Sequence, residues 1–411
     1  MCQAVIEACL DGNLNNIQHI HEHDISVLNY VDPESGNTLL HLVVMAEHVH
    51  ILKFLLNTSS TLVNHRNADG QSPLHLACAL SSCELSLCLL NHEADVNILD
   101  NSGFSPLNYA LKGNLLLVKL LLEFRANPFI GVFPLHQACT AGVETAYILA
   151  SFSGINLNAV NSVGNTPLHD AVLNHDIEVA ALLLKRGAFP VTVNQRSRTP
   201  LFDAISLSYW DIGLLLLGFL PIRGYSLLTN EGYCLFHACS MAEISYMDDG
   251  FIKFSIVFNS LLSHSDLVNS FSLHYHQTPL LLAVSKNRVE AVTFLLTFPN
   301  INLYHTDYKG QNVFHSLDSD DGRILLKLLN FISKDIEAVQ LFLQKDSFLN
   351  TPLLTLAKKG FFFSCGLIVR FLETNFAEIA FDLVNEVDIY GDSIISILEG
   401  NDLLDLSVYK K

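Results

Sequence analysis

A histidine and an aspartate stand side by side in the segment TPLHDA, residues 166–171. An imidazole next to a carboxylate could bind a metal ion or relay a proton. On a helix, however, neighbouring residues point about 100° apart, so His169 and Asp170 would not converge on one ligand. A single chemical site would use this arrangement once, whereas a structural role would repeat it along the chain.

The arrangement around His169 repeats. Aligned on the position of Pro167, it recurs at Leu39, Pro73, Pro106, Pro134, Pro200, Cys234, Pro279, Val313 and Pro352. Six of the nine intervals between these positions are 33 or 34 residues long. The position of His169 is also filled by His41, His75, His136 and His315, and in other copies by Asn108, Phe202 and Leu281. Such a series indicates a structural repeat, and we therefore interpret His169 as part of the scaffold.

The repeated T-P-L-H-x-A motif and its period of about 33 residues resemble the ankyrin repeat family. Turns of the D-x-x-G type or a variant precede several copies, as in NADG at 67–70, DNSG at 100–103 and DYKG at 307–310. The resemblance implies an all-α ankyrin-repeat solenoid of stacked helix-turn-helix units with hairpin loops, about twelve units including caps. It also implies hydrogen bonds within the pairs Thr38–His41, Ser72–His75 and Thr166–His169.

The residues of each copy favour this fold independently. Ser or Thr before Pro is a good helix start, because the hydroxyl accepts from a free backbone N–H and Pro lacks a donor that would otherwise be orphaned. A second apolar run follows, as in ILKFLL at 51–56 and VAALLL at 179–184, and such a helix pair buries its apolar face only by stacking. We predict one array over residues 1–411, with an N-terminal cap at 1–31, central repeats at 32–387, an insertion near 240–275 and a truncated C-terminal cap at 388–411.

Composition narrows the classes of partner. The formal charge of −18, from 23 Lys and Arg against 41 Asp and Glu, argues against a nucleic-acid surface or an acidic membrane as partner. The apolar runs are shorter than a membrane span, and the start of the chain lacks the features of a secretory signal. Nine cysteines without a CxxC pair fit a reducing compartment. We expect a monomer in the cytoplasm, although delivery into a host cell stays open.

The sequence carries little that indicates catalysis. It contains none of the G-x-S-x-G, P-loop, G-x-G-x-x-G or H-E-x-x-H motifs, and the histidines of HIHEH at 19–23 fall near a helix end, where they diverge. We predict no catalytic residue, no metal and no cofactor. The predicted function is a non-catalytic interaction module, an adaptor, scaffold or inhibitor, that binds a partner protein in its concave groove. Two alternatives are an effector of an intracellular bacterium or virus that acts on host proteins, and an enzyme with a cryptic site in the 240–275 insertion.

Departures from the repeat pattern suggest where a partner binds. The interval from Pro106 to Pro134 is five residues short, so we expect a notch in the groove there. Tyr209 and Trp210 are either an exposed anchor or residues that pack on the next turn, and the acidic tip of the insertion suits a basic partner. The candidate binding residues are Tyr209, Trp210, Tyr246, Met247, Asp248, Asp249, Arg66 and Arg196. The family resemblance adds Asn97 as a candidate for asparagine hydroxylation.

Overall fold

The structure is a computed structural model that describes residues 2–58, 62–244, 249–333, 336–388, 390–391, 393–394 and 397. In these residues the chain is helical, and its extended pairings are two isolated bridges, Val31 to Thr38 and Val387 to Ser393. The predicted all-α class is therefore confirmed. The chain divides into two compact units, residues 1–189 and residues 190–411, which we call unit 1 and unit 2. A single array over 1–411 remains a prediction.

Unit 1 consists of helix pairs. Its described residues form α1 Cys2–Leu10, α2 Leu14–His23, α3 Leu39–Met45, α4 Val49–Thr58, α5 Pro73–Ala79, α6 Cys83–Leu90, α7 Pro106–Ala110, α8 Leu115–Glu123, α9 Pro134–Ala141, α10 Val143–Ala150, α11 Pro167–Leu173 and α12 Ile177–Lys185. The first helix of a pair packs on the first helix of the next, as α3 on α5 and α5 on α7. The second helices do the same, as α4 on α6 and α6 on α8. The predicted stacking of helix-turn-helix units is thus present.

Unit 2 continues with helix pairs but is less regular. Its described helices are α13 Pro200–Ser206, α14 Trp210–Leu217, α15 Leu235–Met241, α16 Gly250–Ser260, α17 Pro279–Ser285, α18 Val289–Leu295, α19 Arg323–Ile332, α20 Gln340–Leu343, α21 Pro352–Lys358, α22 Phe362–Asn375 and α23 Ala377–Asn385. Here α13, α15 and α17 pack in succession, and α14 packs on α16. Short 3-10 segments at Ile25–Asn29, Ile222–Ser226, Leu262–Leu267 and Ile336–Val339 complete the units.

Among the helices of the described residues, none combines the length and the apolar character that a membrane span requires.

The α15 repeat corrects the predicted alignment by one residue. Cys234 caps α15, where most other repeats have Ser or Thr, and Leu235 takes the first helical position in place of proline. The alignment of Cys234 with Pro73 and Pro134 predicts that Cys239 shares a position with Cys78 and Cys139, but in the structure Cys239 aligns with Ala77. Without a proline to mark the helix start, the sequence gives no fixed point for the register here. The predicted insertion lies between α15 and α17, where α16 runs for 11 residues and a 3-10 segment follows it.

A second correction concerns the repeat at Val313, whose predicted first helix is a turn over residues 313–316. The carbonyls of His315 and Leu317 accept hydrogen bonds from the Lys359 ammonium, at 3.0 and 2.7 Å. A lysine from a later repeat thus satisfies carbonyls that helical N–H groups would otherwise bond.

The repeat interval that ends at Pro134 is short because the loop between α8 and α9 is short. The connection from α8 to α9 has ten residues, against 15 between α6 and α7. Gly131 has a φ of 91°, and a Cβ at this position would lie 1.9 Å from the Asn108 amide oxygen. The close approach lets the shorter Asn108 reach the carbonyl of Val132, at 3.0 Å, which explains why asparagine replaces histidine in this copy.

Candidate binding surface

The histidines of the repeat motif are hydrogen-bonded parts of the scaffold. The backbone N–H of Thr166 lies 3.2 Å from His169 Nδ1 and the Thr166 hydroxyl lies 2.9 Å from it, while Thr166 Oγ1 accepts from the His169 N–H. The predicted pairs Thr38–His41 and Ser72–His75 show the same contacts to Nδ1. The scaffold interpretation is confirmed for all three pairs.

The other imidazole nitrogen joins one repeat to the next. In four of these histidines Nδ1 accepts from a backbone N–H, so Nε2 carries the proton; they are His41, His75, His237 and His315. Nε2 donates to a carbonyl of the following loop, from His41 to Gln71, His75 to Phe104, His136 to Asn165, His237 to Gln277 and His315 to Asn350, over 2.9–3.1 Å. Burial lowers the pKa of His41 and of His237 to about 4, against an ordinary value of 6.5, so both imidazoles stay neutral. We call these bonds histidine bridges.

Asp170 has partners of its own. Its carboxylate accepts hydrogen bonds from the side-chain amides of Asn165, at 3.2 Å, and Asn161, at 3.4 Å. Burial raises its pKa. His169 and Asp170 therefore belong to separate local hydrogen-bond networks, and the two adjacent side chains do not form a joint ligand set.

A thiol and an imidazole also meet beside the insertion. Cys234 Sγ lies 3.1 Å from His237 Nδ1 and 3.2 Å from Ser270 Oγ. A catalytic cysteine needs a thiolate and access to substrate. Cys234 is fully buried, and this burial raises the pKa of its thiol. The Cys234 thiol thus takes the place that the Thr hydroxyl has in the Thr166–His169 pair, and its contact with His237 is part of the helix cap.

Trp210 is buried, which corrects its interpretation as an exposed anchor. Its exposed fraction is 6%, and its ring packs edge-on against Phe254 with centroids 5.2 Å apart. Tyr209 is half-buried at the start of α14. The longer α16 supplies the aromatic partner, so the alternative of packing on the next repeat fits Trp210, although the contact is with a helix and not with a turn.

The acidic tip of the insertion is described only in part. Tyr246, Met247 and Asp248 lie outside the described residues. Asp249 is exposed and forms an ion pair of 2.8 Å with Lys253, which also pairs with Asp211 at 2.6 Å. Lys253 therefore partly neutralises the carboxylate that was predicted to attract a basic partner.

Three further predicted residues lie in hairpin loops. Arg66 donates to the Gly70 carbonyl and to the Asn101 side chain, so its guanidinium ties neighbouring hairpin tips together. Arg196 is exposed at its tip. Asn97 accepts from the backbone N–H of Asn127 at 2.7 Å and donates to the Arg125 carbonyl at 3.3 Å. Its amide thus links two hairpins.

The hairpin tips of unit 2 form a ladder of backbone hydrogen bonds. The N–H donors and carbonyl acceptors pair as Asn230 to Arg196, Leu273 to Glu231, Tyr308 to Tyr275 and Ser347 to Lys309, over distances of 2.8–3.2 Å. Each bond joins one tip to the next. Side chains on these tips are therefore held in a row, at a spacing fixed by the stacking of the repeats.

Large apolar and aromatic side chains are exposed along this row. They are Leu227, Leu228, Phe271, Leu273, Tyr275, Tyr304, Tyr308, Phe348 and Leu349. Tyr275 and Tyr308 are 52% and 56% exposed, and their rings meet edge-on at 5.9 Å. Phe271 stacks on the imidazoles of His276 and His305, at 5.4 and 5.3 Å. Exposed apolar side chains that gather on one part of a surface are typical of a protein interaction site.

Beside this row lies a groove of about 510 Å³. We call it the tyrosine groove and define it by three tyrosines and three lysines, Tyr233, Tyr275, Tyr308, Lys286, Lys309 and Lys359. Met241 and Leu282, on first helices, supply apolar surface, while Asp307 and Asp318 add carboxylates. The groove thus lies between hairpin tips and first helices, the location at which the family resemblance places binding.

Sequence reasoning did not single out the tyrosine groove. The segment DYKG at 307–310 predicts a turn from its Asp and Gly, and such a turn leaves the residue types at Tyr308 and Lys309 free to vary. An aromatic residue in two consecutive tips, Tyr275 and Tyr308, was the available signal. No group of three or more His, Cys, Asp or Glu residues in the described ranges is arranged to hold a metal ion.

Comparison with protein families identifies a match to ankyrin repeats. A family model described as ankyrin repeats, in three copies, matches residues 5–100, 60–132, 107–194 and 135–223. Together these matches extend over residues 5–223, just over half of the chain.

Curated relatives match over shorter regions. The chain is 28% identical over 230 residues to the nuclear factor NF-kappa-B p105 subunit of Gallus gallus, which covers 52% of this chain and 23% of that protein. It is 31% identical over 197 residues to the transient receptor potential cation channel subfamily A member 1 of Homo sapiens, covering 44% and 17%. The chain thus spans less than a quarter of either relative. Among solved structures, the human ASB11 ankyrin repeat domain aligns with a TM-score of 0.46 at 24% identity, covering 54% of this chain and 98% of that one.

Proposed function

Because the chain belongs to the ankyrin repeat family, we propose that it is a non-catalytic interaction module that holds a segment of a partner protein in the tyrosine groove. Ankyrin repeats bind protein partners, which is the general role; the groove and the absence of catalysis are the specific part of the proposal. The observation that carries it is the pair Tyr275 and Tyr308, exposed side by side where hairpin tips meet the groove. Tyrosine is one of the residue types that most often contribute a large share of the binding free energy at protein interfaces.

The fixed position of these rings favours binding. The backbone bond between Tyr308 and Tyr275 holds the two tips, and the Lys309 ammonium lies 5.4 Å from the Tyr308 ring centroid. A site that is ordered before binding loses less conformational entropy when the partner arrives. The groove is therefore better suited to capture a short segment than a loop that must first become ordered.

Other specific expectations belong to the same proposal. We propose a monomer that binds no nucleic acid, because the net charge of −18 disfavours phosphate backbones. The eight cysteines placed by the structure are free thiols, which supports a reducing cytoplasmic compartment. A basic partner at the acidic tip finds less support, since Asp249 is already paired with Lys253.

Hydroxylation of Asn97 is kept as a separate proposal. Its amide bridges two hairpins, so a hydroxyl on the Asn97 β-carbon would sit close to the Asn127 N–H contact. Mass spectrometry of the protein after co-expression with an asparaginyl hydroxylase tests the proposal. An unmodified Asn97 peptide would contradict it.

Site-specific photo-crosslinking tests the binding site. A photoreactive phenylalanine analogue replaces Tyr275 in one variant and Tyr304 in another, in cells that express the chain. Tyr304 is a matched control, because it is an exposed tip tyrosine that does not line the groove. We expect a covalent adduct with one partner at position 275, lost when Tyr308→Ala is added, and none at position 304. Equal adducts at both positions would refute the site.

A further inference from the structure

The partner segment can be described by its charge. Resting on the proposed function, we propose that the tyrosine groove selects an acidic peptide segment, one with Asp or Glu side chains next to an apolar residue. The groove combines two features that such a segment satisfies together, namely lysine ammonium groups and exposed tyrosine rings in its lining.

The three lysines give the groove a net positive charge. Lys286 and Lys309 are exposed at its edge, and neither forms an ion pair in the described residues. The Lys359 ammonium donates two of its three N–H groups to the carbonyls of His315 and Leu317, so one N–H remains for a ligand. Three ammonium groups in one groove are notable in a chain with 23 basic and 41 acidic residues.

The two carboxylates of the groove offset the lysines only in part. Asp307 Oδ1 accepts the backbone N–H groups of Lys309 and Gln311, at 2.8 and 2.9 Å, so the turn itself stabilises its charge. Asp318 is exposed. A positive groove on a negative protein draws acidic segments to itself, while the rest of the surface repels them.

The tyrosines argue for a peptide with apolar content. Tyr275 and Tyr308 offer ring surface, and Met241 and Leu282 lie on the wall of the groove. A purely acidic peptide would leave this surface in water, whereas an apolar side chain between acidic ones would cover it. Single-stranded nucleic acid also stacks on aromatic rings, but three lysines on a chain of net charge −18 supply too little positive charge for a phosphate backbone.

Selection of random peptides tests the inference. Random 12-residue peptides displayed on phage are selected on the full chain, and the enriched peptides are synthesised and titrated by fluorescence anisotropy. Four proteins are compared, namely the natural chain, a Tyr275→Ala/Tyr308→Ala variant, a Lys286→Glu/Lys309→Glu variant and a Lys286→Gln/Lys309→Gln variant. All substituted residues are exposed, and circular dichroism checks that each variant is folded.

We expect enriched peptides with net negative charge whose affinity falls about tenfold or more with the Lys→Glu pair and less with the Lys→Gln pair. Added salt should weaken their binding to the natural chain. Groove-dependent peptides that are neutral or basic would overturn the inference but leave the proposed function intact. Peptides that bind the Tyr→Ala variant equally well, or no enrichment at all, would overturn both. A labelled oligothymidine that binds the natural chain but not the Lys→Glu variant would also overturn the choice of a peptide.

Discussion

Replacing His237 by asparagine should remove a specific part of the acid sensitivity of unit 2. In the fold, burial lowers the pKa of His237 to about 4, whereas the imidazole of an unfolded chain has a pKa near 6.5. Between these values the unfolded chain binds more protons than the folded one. The free energy of unfolding therefore falls as the pH falls through this window.

The size of this effect follows from the two pKa values. One pKa unit corresponds to about 1.4 kcal/mol, so the gap between 6.5 and about 4 amounts to about 3 kcal/mol lost on acidification. Asparagine is the matched replacement, because Asn108 fills the same position in α7 without a titrating group. His237→Asn should cost stability near neutral pH, since the shorter side chain loses the bond to the Gln277 carbonyl. That cost should shrink by about 2 to 2.5 kcal/mol between about pH 7 and about pH 4.5.

Urea unfolding followed by tryptophan fluorescence measures this difference. Trp210 is the only tryptophan of the chain and is buried in unit 2, so its emission reports on the unit that contains His237. Other titrating groups are common to both proteins and cancel in the difference. His274→Asn serves as control, because His274 is exposed, and we expect its effect to be small at every pH. A His237→Asn cost that stays constant from neutral to acid pH would refute the buried neutral imidazole.

Three further predictions use the same unfolding measurement or a thermal melt. Asp203→Asn should have the opposite pH dependence, because burial raises the pKa of Asp203 to about 6. Relative to the natural chain, the free energy of unfolding of this variant should rise by about 2 to 3 kcal/mol as the pH rises from about 4 to about 7. A difference that does not change with pH would contradict this. Gly131→Ala should cost about 1 to 3 kcal/mol more than Gly187→Ala. The two glycines have φ of 91° and 95°, but only at Gly131 would a Cβ meet Asn108, so equal costs would disprove the close approach. Cys234→Ser should stabilise α15 by about 0.5 to 1 kcal/mol, and Cys234→Ala should destabilise it by about 1 kcal/mol. An alanine variant as stable as the serine variant would show that the side chain at position 234 does not cap the helix.

The sequence predicted helix starts correctly wherever a residue type is favoured in only one local conformation. Each predicted Ser/Thr-Pro start, as at Pro73, Pro167 and Pro352, is the first residue of a helix, because Ser or Thr caps and Pro at the first turn suit few other places. The alignment failed at Cys234, where no proline marks the start, and the helix prediction failed at Val313, where Lys359 holds the carbonyls from 42 or more residues away.

The binding surface was harder to predict for a related reason. Trp210 was a candidate anchor, and the ring that covers it, Phe254, comes from the insertion, where the repeat pattern does not indicate which residue is its neighbour. Tyr275 and Tyr308 are separated by a full repeat in sequence, and the stacking of the repeats makes them neighbours. Local pattern thus predicts where helices begin. It does not reveal which exposed side chains become adjacent.

The lysine that reaches back to residues 315 and 317 has a practical consequence for locating the partner site. Shortening the chain from its C-terminal end removes Lys359 well before it removes Tyr308. The carbonyls of His315 and Leu317 would then lose the ammonium that holds them, and the groove would lose one of its three lysines, in a fragment that still contains Tyr275 and Tyr308. Loss of binding in such a fragment would therefore not show whether the groove lysine or the fold of the turn is responsible, whereas point substitutions in the intact chain would separate the two.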